Sequence, residues 1–172
     1  MKPVYNTFDS LSSSLSLFFL SVSPHISKPQ AKNLSYIILA SIDANSIITS
    51  SVASHFKGDL SFNKPESNER RVRRFLNNPH FDIYSFYDDL ISFVIDKYKV
   101  KHSDNIVFVC IDHSFNNDDF TTLTLTTRIG RQSIPIYFRC FEGTDNSDAF
   151  SFDTIKNALT YAHKLFPNYQ II

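Results

Sequence analysis

The chain has 172 residues, 42% of them apolar, and 17 Lys and Arg balance 17 Asp and Glu. That length allows one compact domain or two small ones with a real core, and no apolar run reaches the roughly 20 residues of a membrane span. Zero net charge excludes a global field that would draw in nucleic acid, so any basic site has to be local.

Near the start, "SLSSSLSLFFLSVSP" has the look of a secretion signal. It is broken by serines, follows a single lysine and lacks a small-residue cleavage site. Phe8, Leu11, Leu15, Phe18, Phe19 and Val22 instead recur at helical spacing and predict an amphipathic helix in a cytoplasmic protein. After the proline-bounded break "SPHISKP", Leu34, Ile37, Ile38 and Ile42 predict a second helix. "DANS" then reads as a turn. Ile47, Ile48, Val52 and Phe56 predict a third helix with Asn45 or Ser46 as its N-cap. Residues 31–57 therefore carry a helix-turn-helix-like pattern.

"GDLSFNKPESN" reads as loop. Residues 67–78 form an arginine-rich helix capped by Ser67 or Asn68 and stopped by Pro79. Val72, Phe75 and Leu76 lie on one face, Arg70, Arg73 and Arg74 point away from it, and Arg71 flanks it. A further helix carries Ile83, Phe86, Tyr87, Leu90, Phe93, Val94 and Tyr98.

From residue 104 the period changes. "NIVFVCID" is continuously apolar, as expected of a strand covered on both faces, and it leads to Asp112. A carboxylate at the end of a buried strand needs a hydrogen-bond network or a cation to offset its burial. "FTTLTLTTRIG" alternates like a half-buried strand, and "RQSIPIYFRCFEG" is a third, with Pro135 marking an edge or a bulge. Helix returns in "SDAFSFDTIKNALTYAHKLF", stopped by Pro167, and "NYQII" follows. Cys110 and Cys140 lie in strand-like runs and are expected as buried free thiols of a reducing compartment, with no Cys/His cluster to suggest zinc.

Three phrases, "RRVRRFLNNPHFD", "KHSDNIVFVCIDHSF" and "IGRQSIPIYFRCFEGTDNSDAF", occur in the order and spacing of a known family. Over about residues 66–165 the chain resembles the DDE transposases of bacterial insertion sequences, in the insertion-sequence-four branch. The resemblance implies an α+β protein: a helical DNA-binding region, residues 1–102, followed at 103–172 by the first half (three strands and one helix) of a ribonuclease H-like α/β core. It implies Asp112 as the first catalytic, metal-binding aspartate. It also implies Mg²⁺ or Mn²⁺ as cofactor, two ions roughly 3.5–4 Å apart between carboxylates. Arg70, Arg71, Arg73 and Arg74 are the candidate nucleic-acid contacts, suited to duplex DNA at transposon ends.

The family's second aspartate and its glutamate have no counterpart in these residues. The expectation is thus a catalytically incomplete part of a transposase, either a fragment or the first half of a split frame, that binds little metal alone. Its further partners would be a full-length transposase or the product of a downstream frame, and its place the bacterial nucleoid. Asp118, Asp119, Glu142, Asp145 and Asp148 read as solvated loop carboxylates and helix caps. His113 and Ser114 do not make a hydrolase triad, because adjacent strand residues face opposite ways. Two alternatives stand beside this reading: a non-catalytic protein that occupies transposon ends and inhibits the enzyme, and an unrelated α+β protein.

Overall fold

The computed structural model describes residues 5–98, 105–116, 120–143 and 148–172. Its fold class is α+β: helices α1 (Tyr5–Val22), α2 (Lys28–Ala44), α3 (Thr49–Ser54), α4 (Pro65–Leu76) and α5 (Ile83–Tyr98) precede strands β1 (Ile106–Val107), β2 (Val109–Asn116), β3 (Phe120–Ile129) and β4 (Gln132–Glu142), then α6 (Phe152–Leu165) and β5 (Gln170–Ile171). The chain divides into two compact units, Met1–Leu90 and Ile91–Ile172. Among the described residues no helix is long and apolar enough to cross a membrane.

The first unit is built around α2, which packs on α1 and on α3. Its fully buried residues are Ala31, Ser35, Tyr36 and Ala40, whereas Ile42 is 72% exposed. Of the predicted aliphatics, Leu34, Ile37 and Ile38 pack half-buried against the two cores, and Ile42 leaves that face, while the small side chains of Ala31, Ser35 and Ala40 take the most buried positions. One core joins Tyr36, Ala40, Val52, Phe56, Leu60 and Val72. The other joins Phe19, Ile26, Ala31 and Phe86. In α1, Leu11 is exposed against expectation, while Phe19 is buried and Phe8, Leu15 and Phe18 pack half-buried against the cores.

The third predicted helix is shorter than its pattern. Asn45 adopts φ 47° and ends α2 instead of starting α3. Ile47 is 91% exposed in the connection, where the Ser46 hydroxyl accepts from the Ile48 amide at 3.1 Å. Only six residues of α3 remain helical.

Helix α4 starts two residues earlier than expected. Lys64 is its N-cap and Pro65 its first residue, where a fixed φ and a missing N–H cost nothing. Asn68, expected as a cap, is buried inside the helix. Its amide donates to the Leu60 carbonyl at 3.1 Å and its oxygen accepts from Asn63 at 3.2 Å. Val72 and Phe75 are buried, but Leu76 is exposed. A run of rings, Phe75–Phe81 at 5.0 Å, Phe81–Phe86 at 5.7 Å and Phe86–Phe19 at 5.4 Å, ties α4 to α5 and α1.

In the second unit β2, β3 and β4 form an antiparallel meander in that lateral order. β5 pairs parallel with β1. Its bonds run on past β1: Gln170 donates to the Asn105 carbonyl, Ile172 to Val107, and Val109 of β2 donates back to Ile172. The stretch 106–116 thus borders β5 at its start and β3 along its length. Opposite Leu125 and Thr126 the register shifts, Pro135 facing Thr126 and Tyr137 facing Leu125. Ile136 is the extra residue of a bulge, which is how both Ile136 and Tyr137 come to be buried. Helix α6 begins after Ser151, whose hydroxyl accepts from the Thr154 amide at 3.2 Å. It packs on β4, burying Ala158 and Ala162.

The first strand is not covered on both faces. Phe108 is 62% exposed and interrupts the ladder between β1 and β2, while Cys110 and Ile111 are also exposed. Both cysteines, expected to be buried, lie exposed on β2 and β4. On β3 the buried residues are Thr121, Leu123, Leu125 and Thr127. The register puts Cys110, Asp112, Thr122, Thr124 and Cys140 on the other face.

Candidate nucleic-acid interface and the Asp112 strand

The four arginines of α4 do not act as one group. At 3.6 residues per turn, Arg71 and Arg74 lie roughly 60° apart on one flank, Arg70 crowns the helix and Arg73 falls on the opposite flank. Arg73 is neutralised one turn back, its Nε and Nη2 reaching Glu69 Oε1 at 3.1 and 2.7 Å. Arg71 is half-buried and donates through Nη1 to Asn33 Oδ1 at 3.1 Å. Arg70, Arg71 and Arg74 have no carboxylate partner among the described residues, whose ion pairs are Arg73–Glu69 and Lys57–Asp43.

The flank bearing Arg71 and Arg74 faces the first turn of α2 across a cleft of about 530 Å³. Gln30 holds its rim together. Its oxygen accepts from the Ser27 amide at 2.8 Å and its amide donates to the His80 carbonyl at 3.0 Å. Asn78 Oδ1 accepts from the His80 amide at 3.0 Å, which fixes the loop after α4. Phe75 forms part of the lining and is anchored by its ring contact with Phe81. Gln30, Asn33, Asn78 and His80 come from segments far apart in the chain, and no periodicity in the sequence points to them.

Also on α2, Tyr36 donates to Asp9 Oδ1 at 2.7 Å. Burial first, then the Asp9 bond and the charges of Asp9 and Asp59, push its phenol well above the ordinary tyrosine range, with Arg71 opposing.

Asp112 is not at the end of a buried strand. It lies within β2, which runs on to Asn116, and its side chain is exposed, accepting from the Ser114 hydroxyl at 3.0 Å. Its cross-strand neighbour is Thr124, which faces Phe138 on β4. The burial problem that the sequence raises therefore does not arise. His113 points to the opposite face, its Nε2 3.0 Å from the Ala149 carbonyl and its ring stacked on Phe150 at 4.3 Å.

Among the described residues no group of three His, Cys, Asp or Glu side chains could hold a metal ion. One carboxylate among threonines and a serine does not match the several fixed oxygens that magnesium or manganese requires, so these residues do not fit a two-ion centre. Glu142 and Asp148 are exposed, while Asp118, Asp119 and Asp145 lie outside the described residues. No family model, curated protein or solved structure matches the chain.

Proposed function

We propose that this chain is a transposase-type DNA-binding protein whose helix α4 holds the phosphate backbone of duplex DNA. The observation that carries the reading is the lack of carboxylate partners for Arg70, Arg71 and Arg74 among the described residues. Guanidinium groups crowded on one short helix with no counter-charge are poised to release condensed counterions from DNA. In this reading the second unit is the opening of a ribonuclease H-like core. An antiparallel meander, a helix, then a strand parallel to the first is the order in which that core begins, and this supports the reading. Asp112 takes the place of its first acidic residue. Magnesium or manganese would supply the strand-cutting chemistry of such a core. No cutting step is assigned to the residues described, whose donor set does not fit the ions. That mismatch favours a second reading, a protein that occupies DNA ends without cutting them. In either case the working site is the nucleoid.

The test is a fluorescence-anisotropy titration with duplex DNA across a salt series. Replacing Arg70, Arg71, Arg73 and Arg74 together by alanine should weaken binding and flatten the slope of log K against log salt by about 0.9 for each phosphate that is no longer neutralised. Unchanged binding and slope would reject the helix as the DNA-binding element.

A further inference from the structure

The two flanks of α4 differ in a way that the arginine run alone does not show. We propose that the cleft between α4 and the first turn of α2 is a built site for a single phosphate group, with Arg71 and Arg74 as its cationic arms. The proposal rests on the DNA reading only for the source of that phosphate.

The chemistry of the lining sets the sign of the ligand. No Asp or Glu lines the cleft. The Arg71 guanidinium is oriented by Asn33, and since arginine has only donors, the Asn33 oxygen is committed to it. That leaves the Asn33 Nδ2 as a donor. Asn78 is fixed in the same sense, its oxygen accepting from the His80 amide, so its Nδ2 is a donor as well. Ser67 adds a hydroxyl. Among the described residues Arg74 makes no ion pair or hydrogen bond within the protein. Two guanidiniums, two amide donors and a hydroxyl belong to residues lining a cleft in which no carboxylate competes. A planar guanidinium pair engages phosphate oxygens bidentately, and phosphate has further acceptor oxygens for the amide and hydroxyl donors that a carboxylate lacks. The first turn of the 17-residue helix α2 adds a positive potential from the same side. The volume of about 530 Å³ admits a phosphate together with its sugar, so the group can come from a backbone phosphate or from a free nucleotide.

Two arms of one experiment separate these sources. In the first, the whole chain is titrated with inorganic phosphate and with deoxyadenosine 5′-monophosphate at constant ionic strength, followed by amide and arginine side-chain NMR. Saturable shifts at Asn33, Asn78 and Arg71 are expected. They should weaken by roughly tenfold in Arg71→Gln/Arg74→Gln and stay within about threefold in Arg70→Gln/Arg73→Gln. Arg74→Gln alone removes no internal bond, so its loss of affinity cannot be laid to misfolding. Non-saturating shifts, or equal affinities in the two double variants, overturn the site.

The second arm repeats the comparison with duplex DNA. A loss of duplex affinity in Arg71→Gln/Arg74→Gln relative to the parent chain, matching its loss for the mononucleotide, identifies the phosphate as backbone. Duplex binding by Arg71→Gln/Arg74→Gln equal to that of the parent chain, beside its selective loss of the mononucleotide, keeps the site and assigns it to free nucleotide, and in that case the DNA reading of the cleft fails instead.

Discussion

Tyr36 is 2% exposed, and its hydroxyl ends on the carboxylate of Asp9 at 2.7 Å. A hydrogen bond to a charged acceptor contributes about 1.5–3 kcal/mol, less what water restores to the half-buried Asp9, so Tyr36→Phe should cost about 1–2 kcal/mol in urea unfolding. The sign of the pH effect follows from the raised phenol. The folded state keeps Tyr36 neutral, through burial first and the Asp9 bond second, while the unfolded tyrosine ionises near about pH 10. The stabilisation is therefore complete below that pH and drains away as pH climbs through the unfolded value toward the folded one. Burial also raises Tyr87, which sets a common background slope in both proteins. Tyr36→Phe should lose stability less steeply above about pH 10 than the parent; parallel curves would mean that the phenol ionises alike in both states.

At the scale of elements, the short 3-10 turn Gly58–Leu60 docks on α1 through a position that only glycine fills. Gly58 has φ 64°, and a Cβ there would overlap the Asp9 carboxylate. Gly58→Ala combines left-handed strain with displacement of the group that Tyr36 depends on, for an expected loss of about 2–3 kcal/mol. A thermal melt unchanged by the substitution would show that Asp9 can move aside at no cost.

The elements themselves are mostly legible in the sequence, because helical and alternating periods survive in the text of α1, α5 and β3. Their faces are less so. α2 buries Ala31, Ser35 and Ala40 while exposing Ile42, since close helix packing selects small residues that a hydrophobic pattern passes over. Asn68 has the residue type of a cap and is instead a buried bridge to Leu60. Asp112 is legible as a strand residue but not as an exposed one. The cleft cannot be read from the sequence at all, because Gln30, Asn33, Asn78 and His80 meet only through the docking of α2 beside α4 and its following loop.

For the molecule as a whole, the second unit has one sheet face packed by α6 and one that shows Cys110, Asp112, Thr122, Thr124 and Cys140. Both thiols are exposed, so two equivalents should titrate with Ellman's reagent in native buffer, at rates close to those of the denatured chain. One or no fast equivalent would mean that this face is covered in solution. The contrast with the buried pair expected from the sequence has a simple cause. Alternating strands place cysteine by parity, and parity alone does not say which face meets a helix.

The parallel pairing of β5 with β1 has a consequence for the order in which the protein takes shape during synthesis. β2, β3 and β4 are joined by short connections, so each hairpin can close as soon as it leaves the ribosome, with little loop entropy to overcome. The start of the first strand has to wait. Its partners, Gln170–Ile172, emerge only after the meander and α6, an interval on the order of several seconds at ordinary translation rates. Through that interval the amide and carbonyl groups of Asn105, Val107 and Val109 that β5 will satisfy stand open. The nascent chain is then most vulnerable to a foreign strand, and slow elongation past residue 142 would lengthen that exposure.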